Sequence, residues 1–170
     1  MLERTSTLLI APVFAFVLAG CDASSPDGAG AQEEIHCRDA HTLLTDKVGM
    51  AAVTTPDTIN DWRTDQRVPS CRVTAAGLTQ NTPGTESELF YEQVRGDGWT
   101  RTPDPQDAPN ESSLRFRKEG SDCLFNFYVT GMLGTEAEAI VEEARVPTAE
   151  LDRYYVLAIC MPAMEAAPGR

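Results

Sequence analysis

Apolar positions in the first folded segment recur at three- and four-residue steps: Cys37, Ala40, Leu44, Val48 and Ala51. Arg38, Asp39, Asp46 and Lys47 fall on the other faces. That period predicts an amphipathic helix from about Glu33 to Gly49 that buries Cys37. Residues Thr54 to Arg67 carry Pro56 and a run of acidic and amide side chains, which reads as loop with Trp62 packed onto the body. Cys71, Val73 and Ala75 alternate with Arg72 and Thr74, the pattern of a short half-buried strand. Asn81 to Gly84 is turn material. Thr85-Glu86-Ser87-Glu88 then has the form of a capping box ahead of the apolar stripe Leu89, Phe90 and Val94, with Gly96 or Gly98 ending the helix and Trp99 folding back on it.

The second half of the chain is more strongly patterned. Leu114 and Phe116 alternate with Arg115 and Arg117; beyond Gly120-Ser121, Cys123, Phe125, Phe127 and Val129 alternate with Leu124, Asn126 and Tyr128. A Gly-X pair between two alternating segments predicts a two-residue type II′ hairpin, which sets Glu119 opposite Asp122, Phe116 opposite Phe125 and Leu114 opposite Phe127. All apolar side chains then share one face, although the two opposed carboxylates disfavour that register. Thr135-Glu136-Ala137-Glu138 is a second capping box and starts a helix over about 136–145, with Ile140, Val141 and Ala144 apolar and Pro147 beyond its end. Tyr154 to Cys160 is a continuous apolar run, as expected of a strand covered on both sides. Thr102 to Ser113 holds three prolines and reads as loop.

Cysteine spacing joins these elements. If the strand Tyr154–Cys160 runs antiparallel to residues 122–130 with Cys123 opposite Cys160, Phe125 meets Ala158, Phe127 meets Val156 and Val129 meets Tyr154. Directly opposed residues in such a ladder lie within disulfide range. The expected pairs are therefore Cys123–Cys160 and, from the remaining cysteines, Cys37–Cys71.

The fifth cysteine, Cys21, belongs to a different pattern. After a short polar start, Leu8 to Leu18 is an unbroken apolar run of 11 residues, too short to span a bilayer and of signal-peptide length. Ala19, Gly20 and Cys21 follow. Leu18-Ala19-Gly20-Cys21 resembles the lipobox of bacterial lipoprotein precursors. The resemblance covers residues 1–21 and implies cleavage before Cys21, a diacylglyceryl thioether on its sulfur and an acylated amino terminus, a set of chains sufficient for stable anchoring. In enterobacterial lipoproteins an aspartate after the cysteine, here Asp22, resembles an inner-membrane retention signal. Asp22 to Gln32 has no large apolar side chain and predicts a flexible tether of roughly 18 Å, leaving the domain at the membrane face. The expected organisation is signal peptide 1–20, tether 21–32, one globular domain over 33–163 and a frayed tail over 164–170.

With 26 acidic against 14 basic residues the 170-residue chain carries a net charge of −12. Phosphate backbones and anionic headgroups repel such a surface, so nucleic acid is not an expected partner and the lipid on Cys21 is the expected membrane attachment. Arg115, Arg117 and Lys118 form the one basic cluster, read as the protected outward side of an edge hairpin.

Motifs of catalysis are not apparent in the sequence. His36, Cys37 and His41 lie close together, but in an exported chain with four cysteines to pair, a disulfide at Cys37 beside two surface histidines is the expectation, and no metal or other cofactor is called for. Glu142/Glu143 and Asp104/Asp107 lack the loop spacing of a calcium site and read as solvated charge, while Asn110-Glu111-Ser112 has the form of a glycosylation acceptor without a role in a bacterium. Tyr128 and Tyr155 fall on the sheet face opposite Phe125 and Phe127, where they are either covered by a helix or line a groove.

The expected fold is a small α+β domain: a mainly antiparallel sheet of about four strands, helices packed on one face and two disulfides. The expected function is that of a membrane-anchored envelope lipoprotein acting as a non-catalytic binding or structural module for a protein or cell-wall partner. The alternative is a periplasmic hydrolase or small-ligand carrier with a cleft near Tyr128 and Tyr155.

Overall fold

The computed structural model describes residues 34–61, 64–102 and 112–163. The lipobox and Cys21, the tether, Trp62, Asp104, Asp107, Asn110 and Glu111 lie outside the described residues, as does the tail from residue 164.

Helix α1 (34–47) opens as a 3-10 turn over Glu34–Cys37, continues as an α-helix over Arg38–Thr42 and widens to a π-turn over Leu43–Lys47. It buries Cys37, Ala40, Leu43 and Leu44, close to the stripe the sequence periodicity marks. Two long strands follow, β1 (Ala51–Asp61) and β2 (Gln66–Thr79), then helix α2 (Pro83–Gly96) and a two-residue strand β3 (Thr100–Arg101). The hairpin β4 (Ser113–Lys118) and β5 (Ser121–Tyr128), helix α3 (Glu136–Ala144) and strand β6 (Asp152–Pro162) complete the domain. The strands form one antiparallel sheet in the order β1-β2-β6-β5-β4-β3.

Among the described residues the sheet has six strands, where about four were expected. The segment 54–67, read as loop, contributes most of β1 and the start of β2. It forms a hairpin in which Ile59 faces Val68 and the Asp57 carboxylate accepts from the Arg72 guanidinium at 2.6 Å. Pro56 and the polar neighbours that argue against a strand are tolerated because β1 is an edge strand, whose outer side makes no ladder among the described residues. The other added strand, β3, covers the far side of β4, so the β4–β5 hairpin is not the edge.

The sheet is covered on both faces rather than one. On the first face, α1 and α2 pack over Val73, Ala75, Phe116, Phe125, Phe127 and Val156, all buried. Phe90 of α2 meets Phe125 edge-on at 5.9 Å and Trp99 does the same at 5.3 Å, geometries that add favourable quadrupole contact to burial. On the second face, Val141 of α3 packs against Ala76 and Tyr155, flanked by Ala51, Val53 and Tyr128. Central strands between two helical layers need apolar residues on both sides. That requirement accounts for the unbroken run Tyr154–Cys160 and for the consecutive buried residues Val73 to Ala76.

The β5–β6 register is the expected one, with Cys123 opposite Cys160, Phe125 opposite Ala158 and Phe127 opposite Val156; its ladder stops at Tyr128 opposite Tyr155, before Val129. Both disulfides, Cys37–Cys71 and Cys123–Cys160, are formed. Cys71 also stands opposite Cys160 in the β2–β6 ladder, so three cysteines lie abreast on neighbouring strands, and α1 seats Cys37 over the outermost.

The β4–β5 register differs from expectation by two residues. Lys118 pairs with Ser121, Phe116 with Cys123 and Leu114 with Phe125, and the turn is Glu119-Gly120, with Glu119 at φ +51°. A two-residue slip keeps every side chain on its face. It also sets Arg117 rather than Glu119 opposite Asp122, and a two-pronged ion pair at 2.6 and 2.7 Å replaces the repulsion of opposed carboxylates.

Of the two helix starts that the capping-box patterns predict, one is displaced. Thr135 caps α3, its hydroxyl accepting from the Glu138 amide at 3.2 Å. Helix α2 instead begins at Pro83, and Thr82, not Thr85, is its cap, accepting from the Thr85 amide at 3.4 Å. Proline at the first helical position supplies the preset φ and lacks an N–H that would have gone unpaired there. In α3, Ile140 and Ala144 face outward, and Ala137, Glu138 and Val141 form the buried side.

Candidate functional site

At the end of the sheet where β6 starts and β5 stops, a cleft of about 420 Å³ opens between the first turn of α2, the β5–α3 connection and the end of α3. Its floor is aromatic. Phe127 and Tyr154 are stacked at 5.4 Å with ring planes 20° apart, and Tyr155 follows on the next residue of β6. Tyr154 crosses over Gly77 of the paired strand, whose bare Cα leaves room for the ring: a Cβ there would lie 2.5 Å from the ring carbon bearing the hydroxyl.

The polar lining is built around tyrosine–glutamate pairs. Glu86 stands four residues before Phe90 and eight before Val94, so the helical period carries it onto the buried stripe of α2. Its carboxylate accepts from Thr79 Oγ1 at 2.6 Å and Asn81 Nδ2 at 2.8 Å and lies beside the Tyr154 side chain. Burial first, and then this carboxylate, push the Tyr154 pKa upward, so its hydroxyl keeps its proton. Tyr155 donates to Glu142 of α3, and burial followed by that contact raises its pKa as well.

Arg153 is committed to its neighbours. Its Nη1 donates to the carbonyls of Glu142 at 3.0 Å and Arg145 at 3.3 Å, Nη2 lies 3.5 Å from the Glu142 carboxylate, and the guanidinium sits over the Tyr155 ring. Asp152 lies exposed at the mouth. Val129 and Pro147 supply an apolar rim.

The sequence named Tyr128 and Tyr155 together as a candidate groove. They do share a face and stack at 4.9 Å, but α3 covers the pair, and Tyr155 alone reaches the cleft. Tyr128 donates to Glu138 at 3.3 Å. That carboxylate also accepts from the backbone N–H groups of Met132, Leu133 and Gly134, at 3.1, 2.9 and 2.8 Å, and so pins the β5–α3 connection that walls the cleft. Glu142, read as solvated charge with Glu143, is a lining residue; Glu143 is exposed.

The other candidates disperse. Cys37 is disulfide-bonded, the His36 ring bonds Ser121 Oγ at 3.0 Å and the His41 ring bonds Thr54 Oγ1 at 2.9 Å. Among the described residues no group of three or more His, Cys, Asp or Glu side chains is placed to hold a metal ion. The basic cluster is divided between the two sheet faces and is not an outward patch. Arg115 is buried, Arg117 pairs with Asp122, and Lys118 pairs with Asp97 at 2.7 Å and lies over the Trp99 ring. Among the described residues no helix is long and apolar enough to cross a membrane.

Compared with family models, curated proteins and solved structures, the chain matches none.

Proposed function

We propose that this protein is a lipid-anchored lipoprotein of the bacterial cell envelope whose folded domain is a non-catalytic binding module, and that it binds through the cleft at the Tyr154 end of the sheet. The observation that carries the binding reading is the cleft itself: a cavity in the size range of small-ligand sites, with an aromatic floor and convergent polar groups on a framework held by two disulfides. Binding is favoured over turnover because the buried carboxylate is tied to neutral donors and both histidines are engaged elsewhere. The anchoring reading rests on the lipobox at Leu18-Ala19-Gly20-Cys21, with Asp22 directing it to the inner membrane. With a net charge of −12, the lipid supplies the attachment that electrostatics oppose.

Envelope fractionation tests the anchor. Wild-type protein should sediment with membranes and Cys21→Ser should be released; a wild type that stays soluble would refute it. Crosslinking from intact envelopes, compared between wild type and a Tyr154→Ala variant, tests the cleft. Adducts should be lost from the variant, and identical adducts in both would place binding elsewhere.

A further inference from the structure

We infer that the cleft takes an organic ammonium ion, an amine or quaternary amine carried on an apolar body. This rests on the reading of the cleft as the binding site. Among the described residues three carboxylates line it, Glu86, Glu142 and Asp152, against one cation, Arg153. That cation is already held by Glu142 and by two backbone carbonyls of the α3 end. Glu86 is the group left over. It is more than nine-tenths buried, its partners Thr79 and Asn81 are neutral, and among the described residues no ion pair offsets its charge. A buried carboxylate without a counter-ion is costly, and a bound cation removes that cost.

The walls select the kind of cation. Phe127, Tyr154 and Tyr155 present aromatic surface beside the carboxylates, and aromatic faces attract ammonium groups through the ring quadrupole. A hydrated inorganic ion gains little from such walls. The apolar rim of Val129 and Pro147 suits a hydrocarbon body. An anionic ligand would meet three carboxylates among the described lining residues and an Arg153 guanidinium already paired with Glu142.

The test is an amide-detected NMR titration of the full chain in non-ionic detergent with four probes: phenethylammonium, its neutral isostere 2-phenylethanol, the anion 3-phenylpropionate, and calcium ions. Phenethylammonium alone should shift the amides of residues 127–131 and 152–155. Glu86→Gln should weaken it by about tenfold or more, as expected for loss of a charge-assisted contact. Asp152→Asn, at an exposed position where folding is not at stake, should weaken it about twofold, and Glu143→Gln on the outer side of α3 should leave it unchanged. Equal binding of 2-phenylethanol overturns the ammonium assignment and leaves the cleft a binding site. The same shifts from calcium alone make it an inorganic-cation site and overturn the assignment. No shift at the cleft with any probe overturns the assignment too, while the anchor is decided independently by fractionation.

Discussion

Replacing Gly77 with alanine should damage the cleft through one cross-strand contact. The new Cβ would lie 2.5–2.7 Å from the outer atoms of the Tyr154 ring, so the ring has to move. Tyr154 is buried and stacked on Phe127, and moving it disturbs the packing around it and forfeits the stack. Forcing an extra carbon into packed surroundings costs about 1–3 kcal/mol and loss of an aromatic pair about 0.5–1.5 kcal/mol. Partly offsetting this, alanine in a strand is favoured over glycine by about 0.5–1 kcal/mol. The net loss is about 2–3 kcal/mol, read in urea denaturation as a midpoint lower by about 1–2 M for an ordinary slope. The decisive arm is a double-mutant cycle with Tyr154→Ala. Once the ring is gone, Gly77→Ala should be neutral or stabilising, giving a coupling energy of about 3 kcal/mol. Equal destabilisation in both backgrounds would show that the clash does not involve Tyr154.

Three further outcomes are expected. All four tyrosines of the chain have raised pKa values, Tyr91 to about 12, each chiefly through burial. Because the folded values exceed the ordinary 10.0, the folded state binds more protons, so the stability they contribute is whole below pH 10 and is lost as pH rises toward 12. Phenolate absorbance should therefore stay silent through pH 10 and appear together with alkaline unfolding; a gradual rise centred on pH 10 in folded protein would contradict it. Thr82→Ala should destabilise by about 1 kcal/mol in thermal or urea unfolding, and Thr85→Ala by clearly less, since Thr82 is the cap. Removing Cys37–Cys71 or Cys123–Cys160 as a pair of alanines should cost about 4 kcal/mol each, from separations of 34 and 37 residues; non-reducing peptide mapping should recover these two links and no Cys37–Cys123 link.

The parts of the fold legible in the sequence are those where local pattern and long-range geometry agree. Cys123, Phe125 and Phe127 alternate, and so do Cys160, Ala158 and Val156, and a disulfide fixes their register. Strand β1 was illegible because Pro56 and its polar neighbours reflect an edge position that only tertiary context defines. The β4–β5 slip preserves the hydrophobic pattern and is decided by the Arg117–Asp122 ion pair, a term that apolar alternation ignores. The second helical layer was signalled by the unbroken run of β6, although where α3 docks depends on Val141 meeting Tyr155. Of the cleft, Tyr155 was visible in sequence and Glu86 was not, because its place in a capping-box pattern masked its i, i+4, i+8 relation to Phe90 and Val94.

Intact mass measurement of the mature amino-terminal peptide, from protein extracted from membranes, tests the central proposal most directly. A lipid-anchored protein yields a peptide beginning at Cys21 that carries a diacylglyceryl group on sulfur and an acyl chain on the amino group. A peptide that begins elsewhere, or a Cys21 without lipid, would contradict the proposal.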